Sequence, residues 1–232
     1  GGSTTPRPGE VSLAHRGILF LDEFPEFPRH VLEALRQPLE DGHVVVSRAK
    51  QRIRFPSRFM LVAALNPCPC GFYGDPNHTC RCTTSEILRY QKRVSGPMLD
   101  RIDIHVDVPA VKVSKIVDSK DSTAESSSKI RGRVVRARAV QTKRFSRKAG
   151  SRSAGKIITN SEMANRDIKE LCKIEDEARE VLKQALLRLS LSARGYHKVI
   201  KVAQTIADLD SSGSIQRQHV LEALQYRPKL EV

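Results

Sequence analysis

The sequence predicts an α/β part built on a parallel sheet, followed by an all-α region, and three observations carry that prediction. The first is Gly17-Ile18-Leu19-Phe20-Leu21-Asp22-Glu23, four consecutive apolar residues ending in two adjacent carboxylates. A run this apolar suits a central strand of a parallel sheet, covered on both faces. The second is Met60-Leu61-Val62-Ala63-Ala64-Leu65-Asn66, a similar run that ends in a polar amide. The third is a change of period. Beyond residue 128, apolar residues recur at helical spacing over 168–174, 178–191, 199–209 and 215–224.

Between the two apolar strands, residues 31–39 have the pattern of an amphipathic helix. Two β-rich runs follow, His43-Val44-Val45-Val46-Ser47-Arg48 and Arg52-Ile53-Arg54-Phe55, around the basic turn Ala49-Lys50-Gln51. They read as a hairpin. A Ser-rich stretch at 121–128 marks a linker. The expected organisation is a core over 1–113, a linker over 114–128 and a helical domain over 129–232.

The chain has 232 residues, enough for one large domain or two modest ones, and 39% hydrophobic residues support a packed core. No apolar run approaches a bilayer span and the N-terminus lacks a signal-peptide pattern, so a cytoplasmic protein with no membrane partner is expected. The net charge of +14 asks for an anionic partner, nucleic acid first. Eleven basic residues and no acidic one fall between 127 and 156. That segment is either a phosphate-binding face or a solvated helix whose acidic complement lies on a neighbouring subunit.

Carboxylates leaving the carboxyl end of a parallel strand arrive where open α/β sheets bind ligands. In nucleotide hydrolases the first acid holds Mg²⁺, and the second can orient or deprotonate the attacking water. The alternative for the Asp22-Glu23 pair is a strand that happens to end in a charged turn; the pattern favours the hydrolase reading, and Asn66 at the end of a second buried strand weakens the alternative further.

Four of the five cysteines cluster as Cys68-Pro69-Cys70 and Cys80-Arg81-Cys82 in a Gly-, Pro- and Asn-rich loop. Four thiolates satisfy tetrahedral Zn²⁺ and leave no open position, which makes a zinc here structural rather than catalytic. Reduced, unligated cysteines are the alternative, and His78 is a possible replacement for one thiolate. Cys172 stands in a helical pattern as a small core residue. Residues 208–215 open like a calcium loop, but the twelfth position is His219 where a bidentate Glu is needed. A helix-ending turn with Ser214 capping the next helix accounts for them. Residues 150–157 have the glycine and lysine spacing of a phosphate loop, yet Ile157 cannot ligate Mg²⁺ and no apolar strand precedes it; a basic loop is expected. His15 and His30 show no ligand spacing.

Five motifs, in order, resemble the Mg-chelatase-like branch of the AAA+ ATPases, the YifB/ComM family. They are Gly9-Glu10-Val11-Ser12-Leu13-Ala14-His15-Arg16-Gly17 with the strand after it, Phe24-Pro25-Glu26-Phe27, Leu65-Asn66-Pro67-Cys68-Pro69-Cys70-Gly71, Ser95-Gly96-Pro97-Met98-Leu99-Asp100-Arg101-Ile102-Asp103, and Leu191-Ser192-Ala193-Arg194-Gly195-Tyr196-His197. The resemblance implies a partial AAA+ parallel-sheet core with a presensor β-hairpin, then a helical lid. It makes Asp22 and Glu23 the Walker B pair on Mg²⁺ and water, Asn66 the sensor 1 amide, Arg101 the arginine finger and Arg194 the sensor 2 arginine. The hairpin would line a ring's pore, with Arg48, Lys50 and Arg52 on nucleic acid. ATP, Mg²⁺, DNA and further copies of the chain in a hexameric ring are the partners this implies. The family's Walker A loop should precede Walker B, and this chain begins after it would have ended. It therefore reads as the carboxyl-terminal portion of a longer protein, inactive alone. Three functions are implied or left open: a DNA-acting ring motor of the branch-migration or helicase kind, a chelatase-type motor driving metal insertion, and a non-enzymatic zinc-stabilised interaction module.

Overall fold

The computed structural model describes residues 6–48, 51–109, 125–146, 157–189 and 191–228. The chain divides into two compact units, Gly1–Ile102 and Asp103–Val232.

In the first unit, β1 (Ile18–Leu21) follows the short helix α1 (Glu10–Leu13) and pairs in parallel with β4 (Met60–Ala63), from Ile18 opposite Met60 to Leu21 opposite Ala63. Both strands alternate between exposed and partly buried residues. Leu19, Leu21, Leu61 and Ala63 pack against a core that includes Phe24, Leu32 and Met98. Ile18, Phe20 and Met60 stay 58–61% exposed. This corrects the expectation of strands covered on both faces: among the described residues this sheet has two strands, and the core lies on one side of it.

The helix expected at 31–39 is two helices, α2 (Arg29–Ala34) and α3 (Arg36–Asp41). Pro38 explains the break, because it has no N–H to offer the carbonyl of Ala34 and its ring crowds that carbonyl. Gly42 ends α3 with φ +65, its N–H donating to the Pro38 carbonyl at 2.9 Å. A Cβ there would sit 2.8 Å from Cγ of Arg58. Gly42→Ala therefore lowers the unit's stability by about 1–2 kcal/mol through the left-handed backbone alone. The check is a lower urea midpoint at unchanged slope; an unmoved midpoint would show the turn is not strained.

Next comes the hairpin, β2 (His43–Arg48) against β3 (Gln51–Pro56), antiparallel from His43 opposite Pro56 to Arg48 opposite Gln51. Residues 49–50, the side chain of Arg48 and the segment 110–124 lie outside what is described, as does most of the basic loop at 150–157. Helix α4 (Thr84–Gln91) opens on a capping box: Thr83 Oγ1 accepts the Glu86 N–H at 3.3 Å and Glu86 accepts the Thr83 N–H at 2.8 Å. Helix α5 (Gly96–Leu99) is capped by Ser95, whose hydroxyl also donates to Glu33 at 2.6 Å.

The second unit is helical: α6 (Ser127–Ser146), α7 (Asn165–Leu171), α8 (Asp176–Arg188), α9 (Ala193–Leu209) and α10 (Arg217–Gln225). A parallel bridge joins Ile174 to Ile215. Its core includes Met163, Ile168, Leu182, Ile200 and Val220. Cys172 lies in that core as expected, and burial pushes its thiol up to about 11. The basic helix α6 buries only Ala137, Gln141 and Phe145, all in its carboxyl-terminal half. The cap of α10 is a correction. Gln216 is the N-cap, its N–H donated to Nδ1 of the buried His219 at 3.0 Å, while the Ser214 hydroxyl donates to Glu175 at 2.5 Å. A histidine at the third helical position acts here as the glutamate of a capping box would.

Candidate functional site

The β1–β4 ladder continues past both strands. Ala64 donates its N–H to the Leu21 carbonyl at 3.0 Å, and Phe24 donates to the Ala64 carbonyl at 2.9 Å. Asp22, Glu23 and Asn66 therefore leave the same carboxyl edge of the sheet, and all three are exposed there. Asp22 Oδ1 accepts the Glu23 N–H at 2.9 Å. Glu23 has φ +48 and ψ +45, a left-handed conformation that turns the chain sharply into Phe24. Such a backbone in a residue with a Cβ is strained, and strain of this kind collects at functional sites. The turn is held from both sides. Phe24 is fully buried, and Arg93 donates to Glu26 at 2.5 Å and to the Pro25 carbonyl at 3.4 Å.

Arg101 follows α5 with its guanidinium paired to Glu40 of α3 and donating to the Pro97 carbonyl at 2.6 Å. Its side chain is only 10% exposed. Glu40 sits three residues before the hairpin, so the arginine is tied to the hairpin's base. Arg194 belongs to the other unit. It is exposed in the first turn of α9, where Ser192 accepts the Gly195 N–H at 3.0 Å. The amino end of a 17-residue helix beside an arginine favours an anion. Arg52 is exposed on β3 opposite Ser47.

The four loop cysteines converge. Cys68 Sγ lies 3.4 Å from Cys70 Sγ and 3.8 Å from Cys80 Sγ, with 3.6 Å between Cys70 and Cys80. All four sulfurs, Cys82 included, are within 4.8 Å of one another. A disulfide needs about 2.05 Å, whereas tetrahedral zinc with Zn–S bonds of about 2.3 Å spaces its sulfurs about 3.8 Å apart. The residues therefore fit zinc. The N–H of Tyr73 points at Cys68 Sγ at 3.3 Å. The N–H groups of Phe72 and Arg81 bring the Cys70 thiol down to about 6. Cys82 is pushed up to about 12, first by burial and then by its thiol neighbours. His78 does not join them: it stacks on Phe72 and meets Asp75 at 3.1 Å.

Spacing had no means of finding Glu40 or Arg93, because each acts through a partner distant in sequence. Arg144 was legible only as one more charge in the basic segment, yet it turns inward onto Asp208.

Residues 1–116 match the family model for magnesium chelatase, subunit ChlI, and residues 124–227 match the model for its C-terminal part. The chain belongs to the magnesium chelatase family. Its fold is that family's α/β arrangement, a partial AAA+ core with a hairpin followed by a helical lid. The chain is 44% identical over 227 residues to the competence protein ComM of Haemophilus influenzae, covering 98% of this chain and 42% of that protein. It is also 44% identical over 227 residues to the YifB protein of Escherichia coli, with the same coverage. The magnesium-chelatase 38 kDa subunit of Acidiphilium rubrum matches at 37% over 60 residues, 26% of this chain. The chain thus spans well under half the length of the ComM and YifB relatives. Among the described residues no helix is long and apolar enough to cross a membrane.

Proposed function

We propose that this chain is the hydrolytic edge and lid of an ATP-driven ring motor that acts on DNA in the cytoplasm. The observation that carries this reading is that Asp22, Glu23 and Asn66 leave one sheet edge, with the turn between strand and core locked in place. Asp22 would hold Mg²⁺, which offsets phosphate charge when bound. Glu23 accepts a proton from the attacking water, and Asn66 orients that water. Arg101, released from Glu40, reaches the neighbouring subunit's nucleotide, and Arg194 serves as the sensor 2 arginine. The functional divisions are the core over 1–113, the linker over 114–128 and the lid over 129–232, assembled as a homohexamer. Its cofactors are ATP, Mg²⁺ and Zn²⁺ in the cysteine cluster.

DNA is favoured over a porphyrin awaiting metal insertion as the substrate because the likeness to a competence protein covers 98% of the chain, against 26% for the chelatase subunit. The basic hairpin and helix α6 supply the phosphate contacts, Arg48, Lys50 and Arg52 foremost. In the family-length protein, Arg52→Ala weakens DNA binding across sequences and lowers the slope of log affinity against log salt by about 1 per subunit contact. A fluorescence-anisotropy titration at several salt concentrations measures this. Affinity flat with ionic strength and indifferent to Arg52 and Lys50 would remove DNA from the pore, and ATP turnover stimulated only by a chelatase partner would move the chain to that class.

A further inference from the structure

We infer that the four-cysteine zinc cluster is a clamp that sets the water-positioning edge, holding Asn66 and helix α4 in register with the acid pair. This rests on the reading of Asn66 given above and goes beyond it in naming what holds the amide.

The cluster closes both ends of one loop. Cys68 follows Asn66 with only Pro67 between them, and Cys82 immediately precedes Thr83, the cap of α4. Ligation by one ion therefore ties the end of β4 to the start of α4. The far end of α4 returns to the same place. Gln91 donates to the Pro67 carbonyl at 3.3 Å, and Tyr90 is 4% exposed. Just beyond, Arg93 grips Glu26 and the Pro25 carbonyl, the turn into which Glu23 leads. A closed circuit results, from the sulfurs through α4 to the acid pair's turn and back through the β1–β4 ladder to Asn66. Without the ion, the loop between β4 and α4 has no apolar core of its own beyond the buried Cys68. Its backbone turns at Gly71 and Gly74, at φ +83 and +81, have nothing within 4 Å to pack a side chain against. The coordinating sulfurs are the loop's centre.

The test uses the family-length protein. Metal analysis of the purified protein is expected to give one zinc per chain, and Co²⁺ exchanged into the site is expected to show the bands of tetrahedral thiolate ligation. Cys70→Ser with Cys82→Ser is expected to lose the metal and about 100-fold in kcat, the scale of an ångström-level misplacement. Its affinity for a fluorescent ATP analogue is expected to hold, since the phosphate cradle lies elsewhere. Cys82→His, which keeps a zinc ligand, is expected to retain the metal and most of the turnover. Should the double variant not fold, stripping zinc from the parent with a chelator and restoring it makes the same comparison. Native protein that carries no zinc and takes up no cobalt overturns the site. Zinc loss with kcat unchanged overturns the clamp, as does a loss of nucleotide affinity equal to the loss of turnover. A Glu23→Gln variant hydrolysing like the parent would instead remove the motor reading while leaving the zinc content untouched.

Discussion

Glu23→Gln in the family-length protein is expected to slow ATP hydrolysis by about 10²–10⁴-fold, the scale of removing a general base, while ATP stays bound. The amide keeps the length and shape of the carboxylate and can still hydrogen-bond water, but it cannot take a proton from it. Asp22, which accepts the Glu23 N–H at 2.9 Å, keeps its place because that contact uses the backbone. The left-handed turn at φ +48 is equally strained with either side chain, so thermal stability stays where it was. Phosphate release at saturating nucleotide and binding of a fluorescent ATP analogue separate the two effects. Parent-like turnover would show the acid pair to be vestigial and the chain to be an interaction module. An equal loss in binding and turnover would place Glu23 on the nucleotide rather than on the water.

What the sequence made legible is the part governed by local pattern. Two apolar runs gave the parallel strands, and their polar ends gave the edge that Asp22, Glu23 and Asn66 leave. The hairpin was legible because β-rich runs flank a short basic turn. The lid helices followed from their period. Where the pattern misled, the cause was the surroundings. The residues of β1 alternate in burial although all four are apolar, because exposure depends on what lies over each face. Pro38 broke a helix that periodicity alone ran straight through. Ser214 looked like a cap, but His219 supplied the acceptor from inside the next helix. Long-range ion pairs were the least legible. Nothing in their spacing joins Glu40 to Arg101, or residue 144 to residue 208.

That last pair predicts the second large effect. Asp208→Ala is expected to destabilise the helical unit by about 3–5 kcal/mol, the scale of breaking a buried ion pair by removing one partner. Asp208 is 1% exposed on α9 and takes both guanidinium nitrogens of Arg144 from α6. It also accepts from Asn160 Nδ2 at 2.8 Å and Gln204 Nε2 at 3.1 Å. Asn160 in turn donates to Thr205 at 3.0 Å and accepts from Arg144 at 2.9 Å, so one carboxylate satisfies three side chains, the buried Asn160 and Gln204 and the partly buried Arg144. Helix α6 otherwise buries only Ala137, Gln141 and Phe145, so this pair is its charged tie to α9. Loss of the carboxylate strands those donors in the core and opens a cavity besides. Asp208→Asn separates the two costs: it fills the volume but offers an N–H to neighbours that are themselves donors. Urea unfolding followed by circular dichroism measures both variants. If Asp208→Asn is nearly as damaging as Asp208→Ala, charge and hydrogen bonding hold α6 in place. A midpoint that barely moves in either would mean that Ala137 and Phe145 suffice, and that the basic helix docks by packing alone.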